Sequence, residues 1–233
     1  MSSFPTGLPG LKTARTTTPR SVMLFETAGF LPPGKIIDGS LSRDTLNTGD
    51  LDVLRAGVLM GKITTGGKYR PSIIGVTNGA ITAGAATSIT VLAAYATEVA
   101  RLITVAGGNV SLKVTGPPAA NGVVVTTAVT ATAASGTTIT ISSVTLPALV
   151  SGSFITPADG SETPLTFIYE QTGVKVTDND AASIDVPFAK FPVSGVVDSS
   201  VLVQWPSDTS LRAWIWARLN SVDAGKFVPD HLY

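Results

Sequence analysis

The chain contains no cysteine, a single histidine and few charged residues. Across 233 residues, Asp, Glu, Lys and Arg together account for 14%. The absence of cysteine excludes disulfide scaffolds, cysteine nucleophiles and thiolate metal sites. The formal net charge is zero, so the chain has no general attraction to nucleic acid or to an anionic membrane. We therefore expect neither a nucleic-acid partner nor membrane association.

The scarce titratable residues do not match a recognisable catalytic or metal-binding set. His231 lies near the end of the chain, where a Ser-His-Asp triad is hard to hold rigidly, so we expect it at the surface. Asp178, Asp180 and Asp185 lack the glycine and the closing glutamate of an EF-hand loop, which favours a solvated turn over a calcium site. We expect no enzyme activity, no cofactor and no metal.

Long apolar runs are also missing. Residues 1–22 are broken by prolines and lack the apolar core of a signal peptide. The charge-free stretch 114–158 is interrupted by Gly, Thr, Ser and Pro, which is typical of a threonine-rich sheet and not of a membrane span. We expect synthesis and assembly in a reducing cytoplasm, followed by release into an oxidising exterior.

The most informative stretch is 54–71, LRAGVLMGKITTGGKYRP, which predicts a β-hairpin. Its first strand alternates with the period of a half-buried strand, and the Thr-Gly-Gly that follows suits a tight turn. Leu59, Gly61 and Ile63 are expected to share one face of the strand, with Met60, Lys62 and Thr64 on the other. On the return strand, Tyr69 is expected to face inward, and Lys68 and Arg70 are expected to face water.

Apolar spacing predicts two helices among further short strands. Residues 88–103 have one apolar helical face, with Thr87 or Ser88 as the expected cap and glycines after the end. Residues 208–219 fit a helix capped by Asp208, although the same residues also alternate as a strand would. Strands are expected at 110–114, 123–131 and 137–144, where they cap or extend the main sheet.

The hairpin and a second block, 148–164 (ALVSGSFITPADGSETP), together resemble the phage head decoration proteins of the lambda type. Residues 190–197 and the tail 211–233 add to the resemblance. It implies a mainly β protein with a small β-barrel or β-tulip-like domain. It also implies a homotrimer that binds the major capsid protein on the outer surface of the virion, after synthesis in the host cytoplasm.

Composition shifts divide the chain into four parts. Residues 1–47 are expected to form an extended N-terminal arm, because prolines break every regular pattern there. Residues 48–102 and 147–206 are expected to form the main β domain. Residues 103–146 are interpreted as an inserted β-rich subdomain, and 207–233 as a C-terminal helix and tail.

Two interaction sites follow from these assignments. Trp214 fits the apolar face of the last helix, whereas Trp216 falls off it and is predicted to be a subunit contact. The arm residues predicted to contact the capsid are Lys12, Arg15, Arg20, Val22, Met23, Leu24 and Phe25. The alternative function is a carbohydrate- or receptor-binding module of a phage fibre or surface adhesin, with Trp216 or residues 103–146 as its contact surface.

Overall fold

The computed structural model describes residues 30–31, 34–118, 122–178, 180, 182–188, 191–220 and 227–229. Within these ranges the protein is mainly β, with fifteen strands, two α-helices and curled half-barrel sheets, which confirms the predicted fold class. The strands are β1 Lys35–Ile37, β2 Val53–Leu54, β3 Leu59–Lys62, β4 Tyr69–Pro71, β5 Gly75–Val76, β6 Gly84–Thr90, β7 Val110–Gly116, β8 Val125–Ser135, β9 Thr138–Leu146, β10 Phe154–Pro157, β11 Thr166–Phe167, β12 Val174–Lys175, β13 Val186–Phe188, β14 Gly195–Val197 and β15 Phe227–Pro229. The helices are α1 Ala93–Val105 and α2 Thr209–Leu219.

The largest sheet has six strands in the order β5-β10-β7-β8-β9-β6, and every neighbouring pair is antiparallel. Strands β7, β8 and β9 correspond to the three strands predicted at 110–144 and extend a sheet that also contains β5, β6 and β10. The predicted boundary at residue 103 lies inside α1. The inner face of this sheet and α1 enclose core cluster 1, which includes Tyr95, Val99 and Ile141.

The second sheet has five strands in the order β11-β3-β4-β1-β13, and only the β1–β4 pair is parallel. The predicted hairpin is present as β3 and β4. Leu59 packs in core cluster 2 and Met60 in core cluster 3, so both faces of β3 are covered. The prediction of a half-buried strand is therefore wrong for β3, because a second core lies on the Met60 side.

The first helix has the predicted apolar face but a later start. Ser88 belongs to β6, and Leu92 occupies the N-cap without a side-chain hydrogen bond, so the predicted cap at Thr87 or Ser88 is wrong. Tyr95, Val99 and Leu102 are buried as the spacing indicated. Residues 84–90 form a strand because pairing with β9 satisfies backbone groups of 84–86 and 88–90, on either side of an irregularity at Thr87.

The helical alternative for 208–219 is confirmed by α2. Asp208 is the N-cap, and its Oδ1 accepts a hydrogen bond from the Leu211 N–H at 3.0 Å. Leu211, Trp214 and Ile215 are buried in core cluster 2. Neither helix in the described ranges has the length and apolar character needed to cross a membrane.

Candidate interaction surfaces

The residues predicted to contact a capsid lie outside the described residues. Lys12, Arg15, Arg20 and the stretch 22–25 all precede Phe30, where the described chain begins. Phe30 pairs with Pro192 in an antiparallel bridge and stacks edge-on against Tyr169, with ring centroids 5.6 Å apart. Within the predicted arm 1–47, residues 35–37 form β1 between β4 and β13 of the five-stranded sheet, and Ile37 is buried.

The predicted hairpin and the block 148–164 are in direct contact. Arg70, in the hairpin, places Nη1 3.1 Å from Asp159 Oδ2, in the second block. The Thr64 N–H donates to the carbonyl oxygen of Asp159 at 2.9 Å. Asp159 Oδ1 accepts from the Ser161 N–H, which closes the predicted Asp-Gly-Ser turn. The hairpin and the turn at Asp159 therefore pack together as one unit.

Two glycines allow the hairpin and the turn to approach this closely. A Cβ on Gly61 would lie 1.9 Å from the carbonyl oxygen of Ser161, a distance no side chain tolerates. Gly160 has a φ of +101°, and a Cβ there would lie 2.1 Å from Thr64 Oγ1. The hairpin and the turn approach each other through backbone, and this explains why glycine stands at both positions.

Arg70 is buried, which corrects the expectation that it faces water. Its side chain is 3% exposed, and its Nε and Nη2 have no hydrogen-bond partner among the described residues. Burial lowers the pKa of Arg70, and the Asp159 carboxylate partly offsets this effect. Sequence alternation missed this placement because the distant turn at 159–161 covers the face of the hairpin on which Gly61 and Arg70 lie. The only feature of the sequence that pointed to a partner for Arg70 was Asp159, the acidic residue in the turn of the block 148–164.

The other buried carboxylates of the described chain also have cationic partners. Glu98 binds Arg101 at 2.7 Å, and Asp44 binds Arg55 at 2.6 Å. Such pairs neutralise buried charge and fix loops, which is a structural use of titratable groups. Across the described ranges, no group of three or more His, Cys, Asp or Glu residues could hold a metal ion.

The predicted turn at 178–185 has local hydrogen bonds of its own. Asp178 Oδ1 accepts from the backbone N–H groups of Asp180 and Ala182, each at 2.9 Å. Asp185 instead reaches Lys68 on the hairpin, at 2.7 Å. The aspartates thus point to different partners, which agrees with solvated turn residues.

Trp216 is half-buried and packs against core cluster 2. Its ring lies edge-on to Trp205, with centroids 5.5 Å apart. Trp214 is buried as predicted, and the Arg218 guanidinium lies 3.9 Å from the centroid of its ring. The subunit contact predicted for Trp216 stays a prediction, and the neighbouring Trp205 shares its surface.

Trp205 also borders a groove at the start of α2 that sequence reasoning missed. The groove has a volume of about 150 Å³, and its wall includes Gln204, Trp205, Ser207 and Asp208. Gln204 has a φ of +61°, the one non-glycine residue in the left-handed region among the described residues. Strained backbone next to an aromatic ring and polar side chains is a feature of binding grooves. No sequence pattern signals such a conformation for glutamine.

Comparison of the chain with protein-family models, curated proteins and solved structures finds no match.

Proposed function

We propose that this protein is a structural subunit of a phage virion, a decoration protein that binds the outer surface of the capsid and stabilises it. The observation that supports this most is the contact between the two resembling sequence blocks. Within these blocks Gly61, Arg70, Asp159 and Gly160 serve packing and ion pairing. These residues therefore have a structural use, and the proposed function requires no cofactor.

The proposed partners are the major capsid protein and two further copies of the chain. An extended arm adds a strand to a capsid sheet edge, so that main-chain hydrogen bonds supply the affinity. Three arms in one trimer make each later binding event effectively intramolecular, which raises the overall affinity without new contacts. Trp216, with its half-exposed ring, is the proposed contact between subunits.

Co-sedimentation with expanded capsids tests the capsid contact. The capsids are assembled from the major capsid protein encoded in the same genome. The full chain should pellet with them, and a chain lacking residues 1–20 should stay in the supernatant while its circular dichroism is unchanged. Equal pelleting of both chains would exclude the arm as the anchor, and pelleting of neither would overturn the decoration function.

Light scattering tests the trimer. The full chain should have the mass of three subunits at micromolar concentration, and Trp216→Ala should shift it toward the monomer because an interface aromatic is lost. Arg212→Ala, on the same helix, serves as the matched control. A trimer that Trp216→Ala leaves intact would remove that residue from the interface.

The groove at Trp205 favours the alternative function, a carbohydrate-binding module. Sugars bind against indole rings while side-chain oxygens and amides fix their hydroxyl groups, and this groove offers Trp205, Gln204 and Asp208. Saturation-transfer NMR with host-surface glycans tests it. Signal transfer that Trp205→Ala abolishes would support this function, and the absence of transfer would exclude it.

A further inference from the structure

The groove at the start of α2 has an apolar floor and a polar rim. Phe154 and Leu211, both fully buried, form part of the floor, and Trp205 forms a wall. Ser151 and Ser207 are exposed and contribute hydroxyl groups to the rim. The volume of about 150 Å³ is below that of pockets that enclose drug-sized ligands, so the groove admits one small group of a larger molecule.

Two contacts hold the wall of this groove in place. The half-buried ring of Trp205 lies edge-on to Trp216, with centroids 5.5 Å apart, and both rings pack against core cluster 2. The side chain of Gln204 hydrogen-bonds to that of Tyr95, which is buried at the base of the groove. The groove is therefore formed before a ligand arrives, and binding needs little ordering of side chains.

Asp208 gives the groove a negative charge. It is the acidic residue among the described side chains that line the groove, and no Lys, Arg or His is among them. Its Oδ1 accepts from the Leu211 N–H and so caps α2. The start of a helix carries about half a positive elementary charge, so a full carboxylate charge there leaves the groove net negative.

The arginine nearest to Asp208 in the sequence does not neutralise this charge. Arg212 directs its Nε to the carbonyl oxygen of Pro206, at 2.7 Å, and does not line the groove. Asp208 is half-exposed and has no ion pair within the described part of the chain. Its carboxylate can therefore take a cation from outside the protein.

An indole ring next to a carboxylate suits a ligand that is cationic and partly apolar. An ammonium group is attracted to the face of an indole ring, and a carboxylate adds a charge-assisted hydrogen bond. Hydroxyl and amide side chains at the rim suit a ligand that also carries hydroxyl groups. An amino sugar combines a ring with apolar C–H faces, several hydroxyl groups and one ammonium group.

We propose that this groove binds one amino-sugar residue, whose ammonium group pairs with Asp208 and whose ring packs against Trp205. The sugar hydroxyl groups lie within reach of Ser151, Ser207 and Gln204. This inference rests on the carbohydrate-binding alternative and not on capsid decoration. It narrows the ligand from sugars in general to sugars that carry a positive charge.

Titration of the full chain with two matched sugars, followed through its backbone amide NMR signals, tests the proposal. Glucosamine and glucose differ at one ring carbon, which carries an ammonium group in the first at about pH 6 and a hydroxyl group in the second. The amide signals of residues 204–211 should shift with both sugars. Glucosamine should bind about tenfold more tightly, because the ion pair and the contact with the indole ring add to the shared contacts.

Two variants identify the group that selects the charge. Asp208→Asn removes the charge and keeps the helix cap, since asparagine caps helices as well as aspartate does. It should lower the affinity for glucosamine to that for glucose and leave glucose binding unchanged. Asp198→Asn is the matched control, because Asp198 caps the short 3-10 helix Ser199–Val201 in the same way but does not line the groove. Trp205→Leu should weaken the binding of both sugars.

Each other outcome decides against a part of the inference. Equal affinity for glucosamine and glucose would overturn it and leave the carbohydrate-binding alternative in place, whereas binding of neither would overturn both. A preference that survives Asp208→Asn, or that Asp198→Asn also removes, would overturn the role of Asp208. Butylammonium, which has the cation without the sugar ring, should bind at least about tenfold more weakly than glucosamine. Equal binding of the two would overturn the assignment to a sugar.

Discussion

At the scale of single residues, the Arg70–Asp159 ion pair is unequally exposed. The arginine side chain is 3% exposed and the aspartate 30%. Asp159→Asn leaves a buried guanidinium without its counter-charge, so we expect the free energy of unfolding to fall by about 3 kcal/mol. Arg70→Met removes the buried charge and leaves a carboxylate that water reaches, so the expected loss is about 1 kcal/mol. Urea unfolding at neutral pH measures both.

Asp185→Asn is the matched control for this comparison. Asp185 also binds a cation of the hairpin, Lys68, but its side chain is 47% exposed. Exposed pairs contribute little, so the expected change is within about 0.5 kcal/mol. Equal losses in the free energy of unfolding for Asp159→Asn and Arg70→Met would contradict the argument that the two partners differ in burial.

Asp38 gives the protein a pH-dependent contribution to stability. Burial alone would raise the pKa of Asp38, but hydrogen bonds from Ser40 and Leu41 and the nearby Lys68 outweigh it and hold the pKa below its ordinary value. Such a carboxylate stabilises the folded state above its unfolded pKa of about 4, and this contribution is lost as the pH falls through the native pKa. Asp38→Asn should therefore be less stable than the native chain at neutral pH.

Urea unfolding at a series of pH values checks this prediction. The stability gap between Asp38→Asn and the native chain should be constant above pH about 5 and narrow as the pH falls below about 4. A gap that is independent of pH would show that the loss comes from hydrogen-bond geometry and not from the ionised carboxylate.

At the scale of elements, the sequence predicts periodic faces better than it predicts ends. The apolar faces of α1 and α2 follow from spacing alone, and Asp208 marks the start of α2 because its side chain caps the helix. The sequence does not reveal the start of α1, because the N-cap residue Leu92 makes no side-chain hydrogen bond. Ser88, the predicted cap, pairs instead with β9 as part of β6. Local sequence signals set the end of an element where such signals exist, and long-range strand pairing sets it elsewhere.

The same limit applies to the candidate sites. The turn at Asp159 and the buried Trp214 are visible in the sequence, because each depends on residues close to it in the chain. The buried Arg70 and the groove at Gln204 are not visible in the sequence. Each of these depends on segments far apart in the chain that pack together, and no local pattern encodes that contact.

The junction between hairpin and turn depends on Gly61. Gly61→Ala would place a methyl group within 1.9 Å of the Ser161 carbonyl oxygen, so β3 and the turn must move apart. We expect a loss of more than about 3 kcal/mol, as for overpacking against rigid backbone. Gly49→Ala is the control, because its nearest atom, Asn47 Oδ1, is 3.8 Å away. Thermal unfolding that ranks the two variants equally would contradict the close contact.

At the scale of the whole molecule, residues 103–146 share a core with the rest of the chain. They supply three adjacent strands of the six-stranded sheet and pack against α1. Their side chains in core cluster 1 include Leu112, Val114, Val129, Ala131, Ile139 and Ile141. Each large apolar side chain contributes about 1.5–3 kcal/mol when buried. Together they are comparable to the roughly 5–15 kcal/mol that stabilises a typical domain.

Replacing 103–146 with a short Gly/Ser linker should therefore abolish folding. Near-ultraviolet circular dichroism and a proton–nitrogen NMR spectrum of the shortened chain measure this outcome. The matched control inserts the same linker after Gly136, in the exposed β8–β9 turn, and should fold because loop length costs little. A folded shortened chain would show that the two parts have independent cores.

The contact between Arg70 and Asp159 also has a consequence for synthesis on the ribosome. The two residues are 89 positions apart in the sequence. Strand β5 likewise cannot pair until β10 has been synthesised. Strands β7, β8 and β9 follow one another directly, so they can pair while the chain is still growing. The contact between the hairpin and the turn at Asp159, and the complete five-stranded sheet, can form only after residue 159 has left the ribosome. Until then the nascent chain carries an unfinished sheet, and the cell must shield that edge from other nascent chains for the time that translation takes.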